Sequence, residues 1–148
     1  MPIGLGSGIC GLIRTRDLLG LRTEIVGVVP ERANAYRLSW EAGRVVPVNA
    51  VSTFADGAAV RVPDERALGM IRQGAARIIE AGEEEIANAI RVLHEDTHNL
   101  AEGAGALGLA ALGRERVAGR KAAVVLSGGN IDCGWAADVL AGRTPLAS

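Results

Sequence analysis

Residues 122–132 read AAVVLSGGNID, and the reading of this stretch decides the fold. Ala122, Ala123, Val124, Val125 and Leu126 are apolar without alternation, the pattern of a strand buried on both faces of a parallel sheet. Ser127, Gly128, Gly129 and Asn130 then turn the chain, and Cys133 to Leu140 reads as a helix behind the turn. In open α/β sheets, ligands sit at the carboxyl ends of the strands. Ser127 is therefore expected to point its hydroxyl into a crevice, with Gly128 and Gly129 letting a planar ligand come close. An ordinary strand-to-helix turn uses the same residue types, so both readings stand at this point.

Working outward, the chain opens MPIGLGSGICG. Gly4, Gly6, Gly8 and Gly11 form a glycine-rich turn, and Ile9 to Leu19 continues as a helix. Backbone N–H groups at such a turn, with a helix N-terminus behind them, suit a phosphate. Gly6, Gly8 and Gly11 also satisfy G-x-G-x-x-G, so an NAD-binding module of Rossmann type is an alternative, with Glu31 as its acidic partner. That fingerprint should follow a strand, and only Met1, Pro2 and Ile3 precede Gly4. Thr23 to Val29 reads as a buried strand that closes a β-α-β unit. Pro30 ends it, and Glu31 to Ala42 reads as a helix with Ala35, Leu38 and Ala42 inward.

Asp56-Gly57 within TFADG marks a turn. Asp64 is the expected N-cap of a helix running to Gly74. Ala76 to Glu80 reads as a short strand. Glu83 to Leu93 reads as a helix with an acidic first turn and Ile86, Ala89, Ile90 and Leu93 on its buried stripe. His94 to His98 (HEDTH) fits H-E-x-x-H, the zinc-peptidase pattern with Glu95 as general base, and is a second alternative. A third ligand would have to be Glu102 or Glu115, with no recognisable motif around either. An exposed polar helix end explains HEDTH more simply. Ala101 to Leu112 (AEGAGALGLAAL) carries small residues that let a helix pack closely.

With 148 residues, 49% hydrophobic and 22% charged, the chain has enough apolar material for one domain. A net charge of −1 gives no general pull toward nucleic acid or a membrane surface. No apolar run reaches the ~18 residues of a membrane span, and no secretory signal is visible. Cys10 and Cys133 do not make a disulfide framework, so free thiols and a cytoplasmic location are expected.

Four segments occur in order: GLGSGICG, TFADG, AEGAGA and SGGNID. Together they resemble the pyridoxal-phosphate (PLP) enzymes of the tryptophan-synthase-β superfamily, fold type II, and in particular threonine and serine dehydratases and serine racemases. The resemblance implies an α/β three-layer fold, a mostly parallel sheet with flanking helices. It covers nearly all of residues 1–148 but only the C-terminal half of the family's length, so the chain is read as one partial PLP-binding domain. In the family's pattern Gly4, Leu5, Gly6, Ser7 and Gly8 would hold the cofactor phosphate, where a run of glycines is usual. Ser127 would hydrogen-bond the pyridine nitrogen, and Glu102 would lie beside the ring. A neutral hydroxyl leaves that nitrogen largely unprotonated, which suits β-elimination. The parent reaction would be a threonine/serine ammonia-lyase reaction, hydroxy amino acid to 2-oxo acid plus ammonia. Serine racemase relatives hold a metal through acidic residues whose places here are Val29 and Ala35, so no metal is expected there.

Enzymes of this type bind the cofactor covalently through a lysine that also acts as base. The sequence has one lysine, Lys121, six residues before Ser127. Along a strand that is roughly 20 Å, beyond a lysine's reach and at the wrong end. The arginines stay protonated and cannot substitute. The resemblance therefore implies non-covalent PLP and an inactive chain when alone, with no catalytic lysine of its own. The implied partner is an amino acid substrate of the parent enzyme; an inert remnant and one half of a split enzyme, with a complementary N-terminal half, both stay open. A homo-oligomer stays open.

Overall fold

The computed structural model describes residues 1–115 and 117–146. Its elements are α1 (Ser7–Leu18), β1 (Val26–Pro30), α2 (Ala35–Ala42), α3 (Glu65–Gly74), β2 (Arg77–Ala81), α4 (Glu83–Thr97), α5 (Gly103–Leu112) and α6 (Cys133–Leu140). Short 3₁₀ turns occupy Glu31–Ala33 and Asp56–Ala58. Among the described residues no helix is long and apolar enough to cross a membrane.

The strands β1 and β2 run parallel, with Val28 opposite Ile79 and Val29 opposite Glu80. On the other edge of β1, Val28 takes its neighbour from Met1–Ile3. The Ile3 N–H donates to the Val28 carbonyl and the Val28 N–H to the Met1 carbonyl, both at 2.9 Å. Strand side chains alternate between faces, and that alternation divides the core in two. Val28 joins Phe54, Ile86, Ile90, Leu107 and Val139 beneath α4, α5 and α6. Val29 and Ile78 join Ile3, Ile9, Ile13, Tyr36, Leu68 and Ile71 beneath α1, α2 and α3. Helices thus cover both faces of a parallel sheet, the three-layer α/β arrangement that the resemblance implies.

Local chemistry accounts for the helix ends. The Asp64 carboxylate accepts the Ala67 N–H at 2.8 Å and caps α3. Glu85 reaches back to the Gly82 N–H at 2.8 Å and steadies the start of α4. The expected inward set of the second helix needs correction. Asn34 breaks the chain between the 3₁₀ turn and α2, which resets the helical phase. Ala35, Tyr36 and Ser39 face inward as a result; Leu38 is half-buried and Ala42 is exposed.

The largest correction concerns residues 122–126. They form no strand ladder, and their backbone makes no hydrogen bond among the described residues. Val124, Val125 and Leu126 are 36–38% exposed. A strand exists through its partners' N–H and C=O groups, and neither β1, β2 nor Met1–Ile3 reaches this run. One side of it rests on α5, where a Cβ at Gly108 would meet Val124 at 3.3 Å. The run also borders a groove of about 530 Å³, lined by Met1, Val26, Val28 and Ile79, by Gly108 and Ala111 of α5, and by Val124 and Val125.

Candidate cofactor-binding site

The glycine-rich opening becomes a tight loop leading into α1. Gly6 takes φ 98°, a left-handed value that disfavours any side chain, and serves as the N-cap. A Cβ there would also meet Ala67 at 2.8 Å and the Tyr36 hydroxyl at 3.1 Å. The first helical bond is from the Cys10 N–H to the Gly6 carbonyl, 3.0 Å. The N–H groups of Gly4, Leu5, Gly6, Ser7, Gly8 and Ile9 therefore have no partner among the described residues. Six free amides at the head of a twelve-residue helix present a concentrated set of donors to an anion such as a phosphate ester. Leu5 and Ser7 point their side chains to solvent, so neither blocks the backbone.

Tyr36 stands behind the loop. It is 1% exposed, and its hydroxyl donates to the Leu5 carbonyl at 2.8 Å and accepts the Asp64 N–H at 3.2 Å. Burial pushes the phenol pKa up, so it stays a donor. Beside it, burial and the Asp64 carboxylate push the Cys10 thiol up, which makes it a poor nucleophile.

The second loop joins the first through two intermediaries. Gly4 lies against Gly57, where an added Cβ would come within 2.6 Å of the Gly57 carbonyl. Gly57 packs in turn on Ala104, with a Glu102 carboxylate oxygen 3.8 Å from its Cβ position. Glu102 then reaches the SGG turn: its N–H donates to the Gly128 carbonyl at 3.1 Å, and its carboxylate occupies the space a Gly128 side chain would need. Glu102 is the N-cap of α5 by position, yet its side chain makes no capping bond. Ser127, next in line, is exposed. Past the turn, the Asp132 carboxylate accepts the Gly134 and Trp135 N–H groups at 2.8 and 3.2 Å and caps α6.

Next to Glu102 and the start of α6 lies a cavity of about 230 Å³ lined by Phe54, Asp56, Glu102, Gly103, Asn130, Ile131, Asp132 and Trp135. Phe54 and Trp135 meet edge to face, 6.2 Å between centroids. Neither Ser127 nor Gly4–Gly8 belongs to that lining; Ser127, Leu5, Ser7 and Gly8 are exposed, whereas Gly6 is buried. Gly57 sits between both loops, although TFADG reads only as a turn in the sequence. Tyr36 carried a signal too. It is the chain's one tyrosine, and a tyrosine buried on a helix needs a partner for its hydroxyl.

The other sequence candidates lie elsewhere. Lys121 is exposed and lines the 530 Å³ groove, on the far side of residues 122–126 from Ser127. Glu31 is paired with Arg114 at 3.1 Å. Helix α4 ends at Thr97, and His98 leaves it in a left-handed conformation with φ 57°. Among the described residues no group of three or more His, Cys, Asp or Glu side chains is placed to hold a metal ion.

The donor set fits part of PLP and not all of it. Free amides match a phosphate, and an exposed hydroxyl matches a ring nitrogen, but no lysine stands near either. Comparison with known proteins shows what the chain is similar to. The chain is 37% identical to an L-threonine ammonia-lyase of Thermotoga maritima, over 89% of this chain and 33% of that protein. It is 40% identical to the L-threonine ammonia-lyase of Geobacter sulfurreducens, again over 89% and 33%. It thus spans about a third of the length of these relatives. Among solved structures, a processed threonine deaminase isoform from Solanum lycopersicum superimposes with a TM-score of 0.86 and 27% identity, covering 95% of this chain and 40% of that one. The sequence profile of the pyridoxal-phosphate dependent enzymes matches residues 1–128, and this chain belongs to that family.

Proposed function

We propose that residues 1–148 form a partial PLP-binding domain of a threonine/serine ammonia-lyase-like enzyme, which grips the cofactor at both ends and draws its catalytic lysine from outside these residues. The observation that carries the reading is the row of six N–H groups from Gly4 to Ile9, without partners among the described residues, at the head of α1. These amides would hold the phosphate. Ser127 would hydrogen-bond the ring nitrogen, and Glu102 would border the ring. When bound, PLP supplies an electron sink for eliminating water from a hydroxy amino acid, with 2-oxo acid and ammonia as products. Around it, this chain's residues would bind and orient, and the lysine supplied from outside residues 1–148 would move the proton.

The open flank of residues 122–126, apolar and without backbone partners among the described residues, supports a complementary segment as the second component. A cytoplasmic location accords with the two free cysteines, Cys10 and Cys133. The purified chain, given threonine and PLP, is expected to form no 2-oxobutanoate. Turnover at enzyme-like rates, of order 1 s⁻¹ or above, would show that a base within residues 1–148 suffices and would end the proposal.

A further inference from the structure

We infer that Tyr36 is a positioning residue for the anion loop: its hydroxyl holds the Leu5 carbonyl inward and so turns the Gly6 N–H outward, toward the phosphate. The inference rests on the assignment of Gly4–Gly8 as the phosphate loop. The geometry follows from the peptide unit. In a trans peptide the C=O and the next N–H point in opposite directions, and no cis bond occurs among the described residues. The Leu5 oxygen points at the Tyr36 hydroxyl, 2.8 Å away in the core between α1, α2 and α3. The Gly6 N–H on the same peptide must therefore point away from that core. It has no partner among the described residues.

A tyrosine hydroxyl gives one proton and accepts through its lone pairs, and Tyr36 uses both capacities. It gives its proton to Leu5 and accepts the Asp64 N–H. Asp64 in turn caps α3. The loop is thereby tied to the start of α3, not merely packed on it, and the two bonds polarise each other in a buried setting. Gly6 completes the fit, since any Cβ there would crowd both Ala67 and the Tyr36 hydroxyl. Without the hydroxyl, the Leu5–Gly6 peptide is free to rotate and to present its carbonyl to the phosphate. That would set a partial negative charge against an anion.

The test compares PLP with pyridoxal, which lacks the phosphate, by quenching of tryptophan fluorescence in wild type and Tyr36→Phe. The ratio of the two dissociation constants isolates the phosphate's contribution. Wild type is expected to prefer PLP, and Tyr36→Phe to lose about tenfold of that preference with pyridoxal affinity unchanged. A purely structural role would weaken both ligands together. A wild type that prefers PLP, with a variant that keeps the full preference, overturns this inference and leaves the loop assignment standing. A wild type with no preference for PLP removes the loop assignment and this inference together. Should Tyr36→Phe not fold, wild type labelled with ¹⁵N gives the second reading. PLP is expected to shift the Asp64 amide, which reaches the loop through the Tyr36 hydroxyl, along with the Gly6 amide. A shifted Gly6 beside an unmoved Asp64 overturns the inference.

Discussion

Two glycine turns, Gly4–Gly8 and Ser127–Gly129, follow short apolar runs of similar character, yet the structure treats the runs differently. Met1–Ile3 is bonded to Val28 on β1, Ile3 is 1% exposed, and the loop after it is anchored by Tyr36. The five residues before Ser127 have no strand partner among the described residues, and all five are more than a third exposed. The difference teaches that an apolar run is a strand only where another backbone meets it. A run lacking that partner keeps its hydrophobicity and presents it as surface.

Four substitutions would break or sharpen that contrast. The largest effect is expected at Ile71, fully buried between α1 and α3. Ile71→Ala should cost about 2–5 kcal/mol of unfolding free energy, read from urea titration. Next is Gly105, where a side chain would run into the Gly128 carbonyl. Gly105→Ala should cost about 1–3 kcal/mol through overpacking; a neutral result in the same titration would mean that the SGG turn is not held against α5. By contrast, Gly11 lies within α1 with nothing near its Cβ position. Gly11→Ala is expected to stabilise by about 0.5–1 kcal/mol, and thermal melts would show it. The smallest effect belongs to the open run: Val125→Thr should stay within about 0.5 kcal/mol of wild type. A loss as large as that of Ile71→Ala would mean that residues 122–126 are packed after all.

The acidic start of α4 sharpens the same picture through pH. Burial works to raise the Glu85 pKa, but the Arg114 guanidinium at 2.6 Å and the Gly82 N–H outweigh it, and the carboxyl ends below its ordinary 4.5. The unfolded state then binds more protons than the folded state between those two values. The stability that Glu85 contributes is complete above about pH 4.5 and is lost as pH falls through the lowered folded value. Glu85→Gln should flatten the acid limb of a stability–pH curve. An unchanged acid limb would mean that the Arg114 pairing is absent in solution.

Much of the fold was legible in the sequence because its signals are local. Asp64 as N-cap, the acidic first turn of α4, and the stripe of Ile86, Ala89, Ile90 and Leu93 each depend on neighbours within a few residues. Helix α6 occupies the span that its pattern indicates. What was not legible depended on distance along the chain. The phase of α2 turned on the break at Asn34. Residues 122–126 carried every intrinsic mark of a strand, but pairing is a property of two segments. The site divides in the same way. The glycine loop and SGGNID announced themselves as words, whereas Gly57 and Tyr36 matter through what they touch across 53 and 31 positions of sequence.

The central claim is that the head of α1 and the turn at Ser127 grip one small phosphorylated ring from two ends. The most direct measurement is a PLP titration of the ¹⁵N-labelled chain, following the amide resonances of Gly6, Ser7 and Gly8 together with those of Ser127 and Gly128. The account predicts that both groups shift together along a single binding curve, and that inorganic phosphate shifts the first group alone. Two curves with different midpoints, or a turn at Ser127 that PLP leaves untouched, would contradict it.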